Sequence, residues 1–191
     1  MSGLGTFCVG AASLAAPPLQ PMSKPSTSQV EATAYHEAGH AVIAYLLGYR
    51  PQSVTIVPTV DTAGHIINTN PLHGFQLKID SSAEARLRIE SLITICFAGP
   101  IAQKRYNPRS WRRAHGQWDY EKIAELGLRV CGSAEQASAF IRWREIVACD
   151  MVRAHWPRIQ LVAGQLLERE NLSHTDLDAI IMRRAGVIGV T

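Results

Sequence analysis

Residues 28–48 read SQVEATAYHEAGHAVIAYLLG and predict the helix around which the rest of the chain is organised. Ser28 and Glu31 have the spacing of a capping box and Gly48 is a typical C-terminal stop, so we expect a helix over about residues 29–47. Its small and apolar positions predict that it is buried: Ala34, Ala38, Ala41, Val42, Ala44 and Leu47. The histidines within it therefore need polar partners.

The middle of this helix carries the pattern His36-Glu37-Ala38-Gly39-His40. His36 and His40 are one turn apart and share a face, so two imidazoles can bind one ion. Zinc accepts imidazole nitrogen at about 2.0 to 2.1 Å, and a catalytic zinc keeps a position for water. Glu37 can take that water's proton without binding the metal. The alternatives are chance and a structural zinc, although closed structural sites usually prefer cysteine.

The sequence pattern leaves the third metal ligand open. A metzincin continuation requires glycine and histidine where this chain has Ile43 and Leu46, which excludes that class. The first glutamate after Glu37 is Glu84, so a thermolysin-type ligand close behind the helix is missing too. On chemistry alone the candidates are Asp61, His65, His73, Glu84, Glu90, His115 and Asp119.

Composition predicts one globular domain. The chain has 191 residues, of which 47% are hydrophobic and 18% charged. The formal charge of +3 is too small to indicate nucleic-acid binding, and the basic and aromatic run at residues 108–113 is interpreted as a solvated loop. No window is apolar enough for a transmembrane helix. Scattered cysteines without a CxxC pair fit a reducing cytoplasm: Cys8, Cys96, Cys131 and Cys149.

Local patterns divide the chain and predict its class. Residues 1–28 contain a Pro- and Ser-rich stretch and form a predicted flexible leader, residues 29–185 a domain and residues 186–191 a tail. Runs at 53–57 and 65–69 predict a β-hairpin, and 75–79 a third strand. A helix is expected over about 83–98, with a bend or restart at Gly99-Pro100. Further helices are expected from about Trp118 and at about 134–156, 157–170 and 175–184. The predicted class is α+β, mainly α with a small hairpin or three-stranded sheet.

The stretch Ala34–Ala41 resembles the peptidase domain of the FtsH-type ATP-dependent zinc metallopeptidases. Further blocks are similar to that family in the same order: residues 54–58 with Gly64, 97–102, 118–124 and 161–170. The resemblance covers about residues 30–182. It implies a zincin-like helical peptidase domain with HExxH on its first helix, Asp119 as the third zinc ligand and Glu37 as the catalytic base.

The chain departs from the family pattern at several positions. His115-Gly116-Gln117-Trp118 replaces the usual Gly-Ala before the aspartate, and Gln103 stands where a glutamate is common. The lysines lack the preceding glycine of a GxxxxGK[ST] phosphate loop, so we expect no ATPase motor in this sequence.

These observations predict a stand-alone zinc metalloendopeptidase that cleaves peptides or unfolded protein segments, with a separate ATPase as a possible partner. Such a substrate would extend along the sheet edge near residues 54–57 or 65–69. The alternative is a catalytically silent zinc-containing module that binds or regulates a partner. The sequence leaves the oligomeric state open.

Overall fold

A computed structural model describes residues 26–58, 65–67, 82–111 and 116–182. The helices and strands occur in this order: α1 (Thr27–Leu46), β1 (Ser53–Thr55), β2 (His65–Ile67), α2 (Ala83–Tyr106), a 3-10 turn (Pro108–Ser110), α3 (Gln117–Val130), α4 (Ala134–Ala154), α5 (Trp156–Arg169), β3 (Asn171–Ser173) and α6 (His174–Met182). The predicted class, mainly α with a small sheet, is confirmed. No described helix is long and apolar enough to cross a membrane.

Helix α1 begins slightly earlier than its sequence pattern predicts. The N-cap is Ser26, and the side chain of Gln29 accepts a hydrogen bond from the Ser26 backbone N–H at 2.9 Å. The predicted box of Ser28 and Glu31 is therefore wrong by two residues, because a Ser-x-x-Gln pair just before it satisfies the first free N–H groups. The helix buries the predicted alanines and Val42, whereas Leu47 is the C-cap and only partly buried.

Three other helix starts carry a serine cap. Ser82 accepts from the backbone N–H of Ala85 at the start of α2, and Ser133 accepts from that of Gln136 at the start of α4. At α6, Asp176 accepts from the Ser173 backbone N–H and Ser173 Oγ accepts from the Asp176 N–H, as in a capping box.

Helix α2 passes through Gly99-Pro100 without interruption, so the predicted restart at this point is wrong. Proline inside a helix removes one backbone hydrogen bond. Here the surrounding residues are buried against α1, and a Cβ added to Gly39 of α1 would lie only 2.6 Å from the Ala98 carbonyl oxygen. Tertiary packing of α2 against α1 thus outweighs the local cost of Pro100.

The sheet has the order β2-β1-β3, with both pairings antiparallel. The predicted hairpin is confirmed, and its register places Val54 opposite Ile66. The third strand is β3, which the sequence reading missed; the predicted strand at residues 75–79 lies outside the described residues. Val54 is buried opposite the buried Leu172 of β3, which ties the sheet to the core.

Two hydrophobic clusters fill the described interior. The first joins α1 to α5, the sheet and α6, and the second joins α2 to α3 and α4. Helix α1 packs against both α2 and α5. This arrangement holds the middle of α1 next to α2 and the start of α3.

Candidate metal centre

Helices α1 and α3 bring the three predicted metal ligands together. His36 and His40 project from α1, and Asp119 lies in the first turn of α3. Their side chains are 10%, 12% and 18% exposed, in that order. Within the described part of the chain this is the one group of histidine, cysteine or acidic side chains with metal-binding geometry.

The donor atoms have the spacing that a zinc ion requires. His36 Nε2 lies 3.0 Å from His40 Nε2 and 3.2 Å from Asp119 Oδ2, and His40 Nε2 lies 3.3 Å from Asp119 Oδ1. Ligands at about 2.0 to 2.1 Å from a tetrahedral ion are separated by about 3.3 Å. Two nitrogens and one carboxylate oxygen also match the ligand types of catalytic zinc sites, which keep a fourth position open.

Hydrogen bonds on the far side of each ring determine which nitrogen faces this centre. His40 Nδ1 lies 2.7 Å from the Ile95 carbonyl oxygen, and His36 Nδ1 lies 3.0 Å from Gln103 Oε1. Gln103 Nε2 in turn donates to the Ser110 carbonyl at 3.4 Å, which orients the amide. Since both acceptors are oxygens, both Nδ1 atoms carry the proton and both Nε2 lone pairs converge with the carboxylate. In the neutral form of both rings, this set of acceptor atoms is suited to binding a cation.

The charges at the centre favour a bound cation as well. Burial alone would lower the pKa of His40, but the charge and hydrogen bond of Asp119, with smaller effects of Glu37 and the Ile95 carbonyl, raise it to about 9. Burial would raise the pKa of Asp119, yet the two histidines hold it well below its usual range. In the metal-free protein a proton on His40 therefore takes the place of the cation.

No family model matches the chain. It is 26% identical over 199 residues to the ATP-dependent zinc metalloprotease FtsH of Acidimicrobium ferrooxidans, covering 84% of this chain and 29% of that protein. It is 38% identical over 97 residues to FtsH of Lachnoclostridium phytofermentans, covering 48% of this chain and 15% of that protein. The chain is related to FtsH. It spans less than a third of either relative.

Glu37, the expected base of this FtsH-related chain, is buried next to His36 on α1 and is 7% exposed. Its charge contributes to the raised pKa of His40, which places the carboxylate within the electrostatic environment of the centre. A buried carboxylate beside a potential metal can accept a proton at neutral pH.

The remaining candidate ligands are not brought to this centre by the described structure. Glu84 pairs with Arg88, and Glu90 pairs with Arg86 and with the buried Arg144. Asp61, His73 and His115 lie outside the described residues, as does the side chain of His65. Among described residues only Asp119 joins the two histidines.

Gln103 of α2 stands where the family that this chain resembles commonly has a glutamate. Its amide oxygen accepts a hydrogen bond from His36 Nδ1 at 3.0 Å. The available signal was its place on α2, four residues after Gly99 on the buried side. The Ile95 carbonyl carries no sequence signal, because any residue supplies one.

Aromatic packing fixes the start of α3 next to the centre. Lys104 donates to the Tyr120 hydroxyl at 3.2 Å and lies 4.5 Å from the centre of the Trp111 ring. Gly116, the N-cap of α3, is packed so closely that an added Cβ would lie 2.4 Å from Trp111. In the described part of the predicted basic loop Pro108 and Arg109 are exposed, as expected, whereas Trp111 packs against Lys104 and Gly116 and helps to hold the turn that carries Asp119.

Proposed function

We propose that this chain is a zinc-dependent metalloendopeptidase that hydrolyses peptide bonds in peptides or unfolded protein segments. The observation that carries the proposal is the convergence of His36 Nε2, His40 Nε2 and the Asp119 carboxylate, whose two oxygens lie 3.2 and 3.3 Å from the two nitrogens, with Glu37 buried on the same helix as the histidines. The relation to FtsH supports the same chemistry.

The residues of the chain have distinct roles in this proposal. His36, His40 and Asp119 hold the zinc, and Glu37 takes a proton from the attacking water and passes it to the leaving amine. Bound zinc supplies Lewis acidity, which activates water and polarises the scissile carbonyl. Gln103 and the Ile95 carbonyl keep the two imidazoles in the tautomer that this task needs.

The substrate is an extended segment that pairs with the edge of β2 that faces away from β1. The alternative edge at residues 54–57 is unsuitable, because β1 is the central strand and the Val57 N–H already donates to Thr55 Oγ1 at 3.1 Å. Among the described strands β2 has a partner on one side only. Main-chain pairing accepts many sequences but requires an unfolded segment. Peptides need no unfolding before cleavage, whereas folded substrates would first have to be unfolded by an ATPase.

The decisive experiment combines metal analysis with cleavage of a peptide library by wild type, Glu37→Gln and Glu168→Gln. Glu168 is an exposed glutamate on α5 and serves as the matched control. We expect one zinc per chain in all three proteins, and cleavage by wild type and Glu168→Gln only. Loss of the base typically costs about 10²- to 10⁴-fold in rate.

The competing function is a zinc-containing module that binds a partner without catalysis. If wild type binds one zinc per chain but cleaves no peptide that Glu37→Gln leaves intact, that function is established instead. Cleavage that is equal in wild type and Glu37→Gln would assign the activity to a contaminant and refute the proposed base.

A further inference from the structure

Gly99 of α2 lies directly against the imidazole ring of His40. A Cβ added to Gly99 would lie 2.2 Å from His40 Nε2 and 2.6 Å from both Cδ2 and Cε1. These are its nearest neighbours, and all of them belong to one side chain. Real Cβ atoms essentially never approach other atoms within 3.0 Å. The space next to the proposed ligand atom thus exists only because residue 99 has no side chain.

The backbone conformation does not explain a glycine at this position. Gly99 is inside α2, and Gly48 is the only described glycine with a positive φ. Glycine is the poorest helix former after proline, so an alanine would favour the helix itself. Space for the His40 ring is the remaining reason for glycine.

The ring has no easy way to move aside. His40 Nδ1 is bonded to the Ile95 carbonyl, one turn before Gly99 on the same helix. The helices themselves are in close contact, since a Cβ added to Gly39 would lie 2.6 Å from the Ala98 carbonyl oxygen and 2.7 Å from Ala102 Cβ. A methyl group on residue 99 would therefore have to displace the imidazole, not the helix.

We propose that Gly99 is a positioning residue for the metal centre. The absence of a side chain at Gly99 leaves space for the His40 ring, and the Ile95 carbonyl accepts a hydrogen bond from it. Together they place His40 Nε2 beside His36 and Asp119. This inference rests on the proposed zinc site but not on peptide cleavage. According to this inference, the α2 backbone contributes to metal affinity by orienting the His40 ring, and a side chain at position 99 would prevent this.

The test compares Gly99→Ala with Gly164→Ala. Gly164 is also inside a helix, α5, but a Cβ added there meets nothing within 4 Å. Zinc affinity is measured by competition with a chelating dye. We expect Gly99→Ala to lose at least about tenfold in affinity, as do changes to groups that orient a ligand, and Gly164→Ala to bind like wild type. Wild-type affinity in Gly99→Ala would overturn the proposal.

A double variant separates this role from general packing. In metal-free protein Gly99→Ala should lower the melting temperature, whereas the same change in a His40→Ala background should leave it equal or raise it, because the ring has gone. If Gly99→Ala lowers the melting temperature equally with and without the His40 ring, the clash involves other neighbours and the proposal is refuted.

The double variant also tests the proposal if Gly99→Ala alone does not fold. A folded double variant would then support the proposal, and an unfolded one would refute it. Wild type that binds zinc but cleaves nothing would refute the peptidase and leave the role of Gly99 intact; wild type that binds no zinc would refute both.

Discussion

Nδ1 of His36 and Oε1 of Gln103 lie 3.0 Å apart in the buried interface between α1 and α2. The contact holds the His36 ring so that Nε2 faces Asp119, and the donation from Gln103 Nε2 to the Ser110 carbonyl holds the amide in turn. Gln103 is thus the link between the metal centre and the turn that precedes α3.

Replacing Gln103 should change zinc affinity without removing a ligand. We expect Gln103→Leu to bind zinc about 10- to 100-fold more weakly, because His36 loses the acceptor that fixes its tautomer. Gln103→Glu keeps an acceptor for Nδ1 and should bind at least as tightly as wild type, although its carboxylate can no longer donate to Ser110. Dye competition measures both. Equal affinity of Gln103→Leu and wild type would contradict this role.

Replacing Asp119 should have a larger effect on zinc than replacing Gln103. Asp119→Ala removes a carboxylate whose Oδ2 lies 3.2 Å from His36 Nε2 and whose Oδ1 lies 3.3 Å from His40 Nε2. The loss should at least equal the roughly tens-fold effect typical of residues that only orient a ligand. Zinc per chain after dialysis is the measurement.

Asp150→Asn provides the control for Asp119→Ala. Asp150 is an exposed aspartate on α4 that pairs with Arg153, so its loss should leave the zinc content unchanged. Full zinc retention by Asp119→Ala would move the third ligand to residues outside the described set or to the His65 side chain.

The fold was predictable where periodicity and capping agree. Helix α1 combines a buried apolar face with a start signal, and the structure places it within two residues of its expected start. β3 is only three residues long and follows α5 directly, so it has too little pattern to be recognised. The restart predicted at Pro100 was wrong for a physical reason. Proline does destabilise the helix locally, but the burial of α2 against α1 that compensates for it cannot be read from the neighbouring sequence.

The metal centre was only partly predictable for a similar reason. His36 and His40 are one helical turn apart, so local geometry alone brings them together. Asp119 is distant in sequence, and from chemistry it was one of seven candidates. Its selection in the described structure depends on how α3 is packed, which involves Trp111 and Gly116. Tertiary packing of this kind cannot be derived from spacing.

The metal-free protein should lose stability as the pH rises above neutrality. The pKa of His40 is raised to about 9 in the folded protein from 6.5 in an unfolded chain, because Asp119 outweighs the effect of burial. A raised folded pKa contributes stability fully below about 6.5, and the contribution disappears as the pH rises through about 9. The melting temperature with chelator present should therefore fall between these values.

Zinc should remove this dependence, since it replaces the proton on His40. The zinc-loaded protein should keep its melting temperature over the same interval, and metal-free His40→Ala should lack the His40 contribution to the decline. An equally steep decline in metal-free wild type and metal-free His40→Ala would show that other groups cause it.

The proposed substrate pairing can be tested at a single backbone N–H of β2. Ile56 N–H donates to the Glu170 carbonyl on the β3 side at 3.0 Å, and neighbouring residues of a strand alternate sides. The backbone N–H and C=O of Val54 therefore also point toward β3. Because Ile66 lies opposite Val54, the N–H and C=O of Ile66 point away from β1. Ile67 lies opposite Ser53 and uses its backbone groups within the sheet.

Proline at position 66 should thus remove a hydrogen bond to the substrate while sparing the sheet, since edge strands tolerate proline where the N–H faces outward. We expect Ile66→Pro to lower kcat/KM for peptides by about tenfold, which corresponds to the upper end of the range for one neutral hydrogen bond, with zinc content unchanged. Ile66→Ala keeps the N–H and is the matched control. Ile67→Pro should instead lower the melting temperature by breaking the pairing with β1. Equal cleavage by Ile66→Pro and Ile66→Ala would rule out this binding mode and leave the metal centre unaffected.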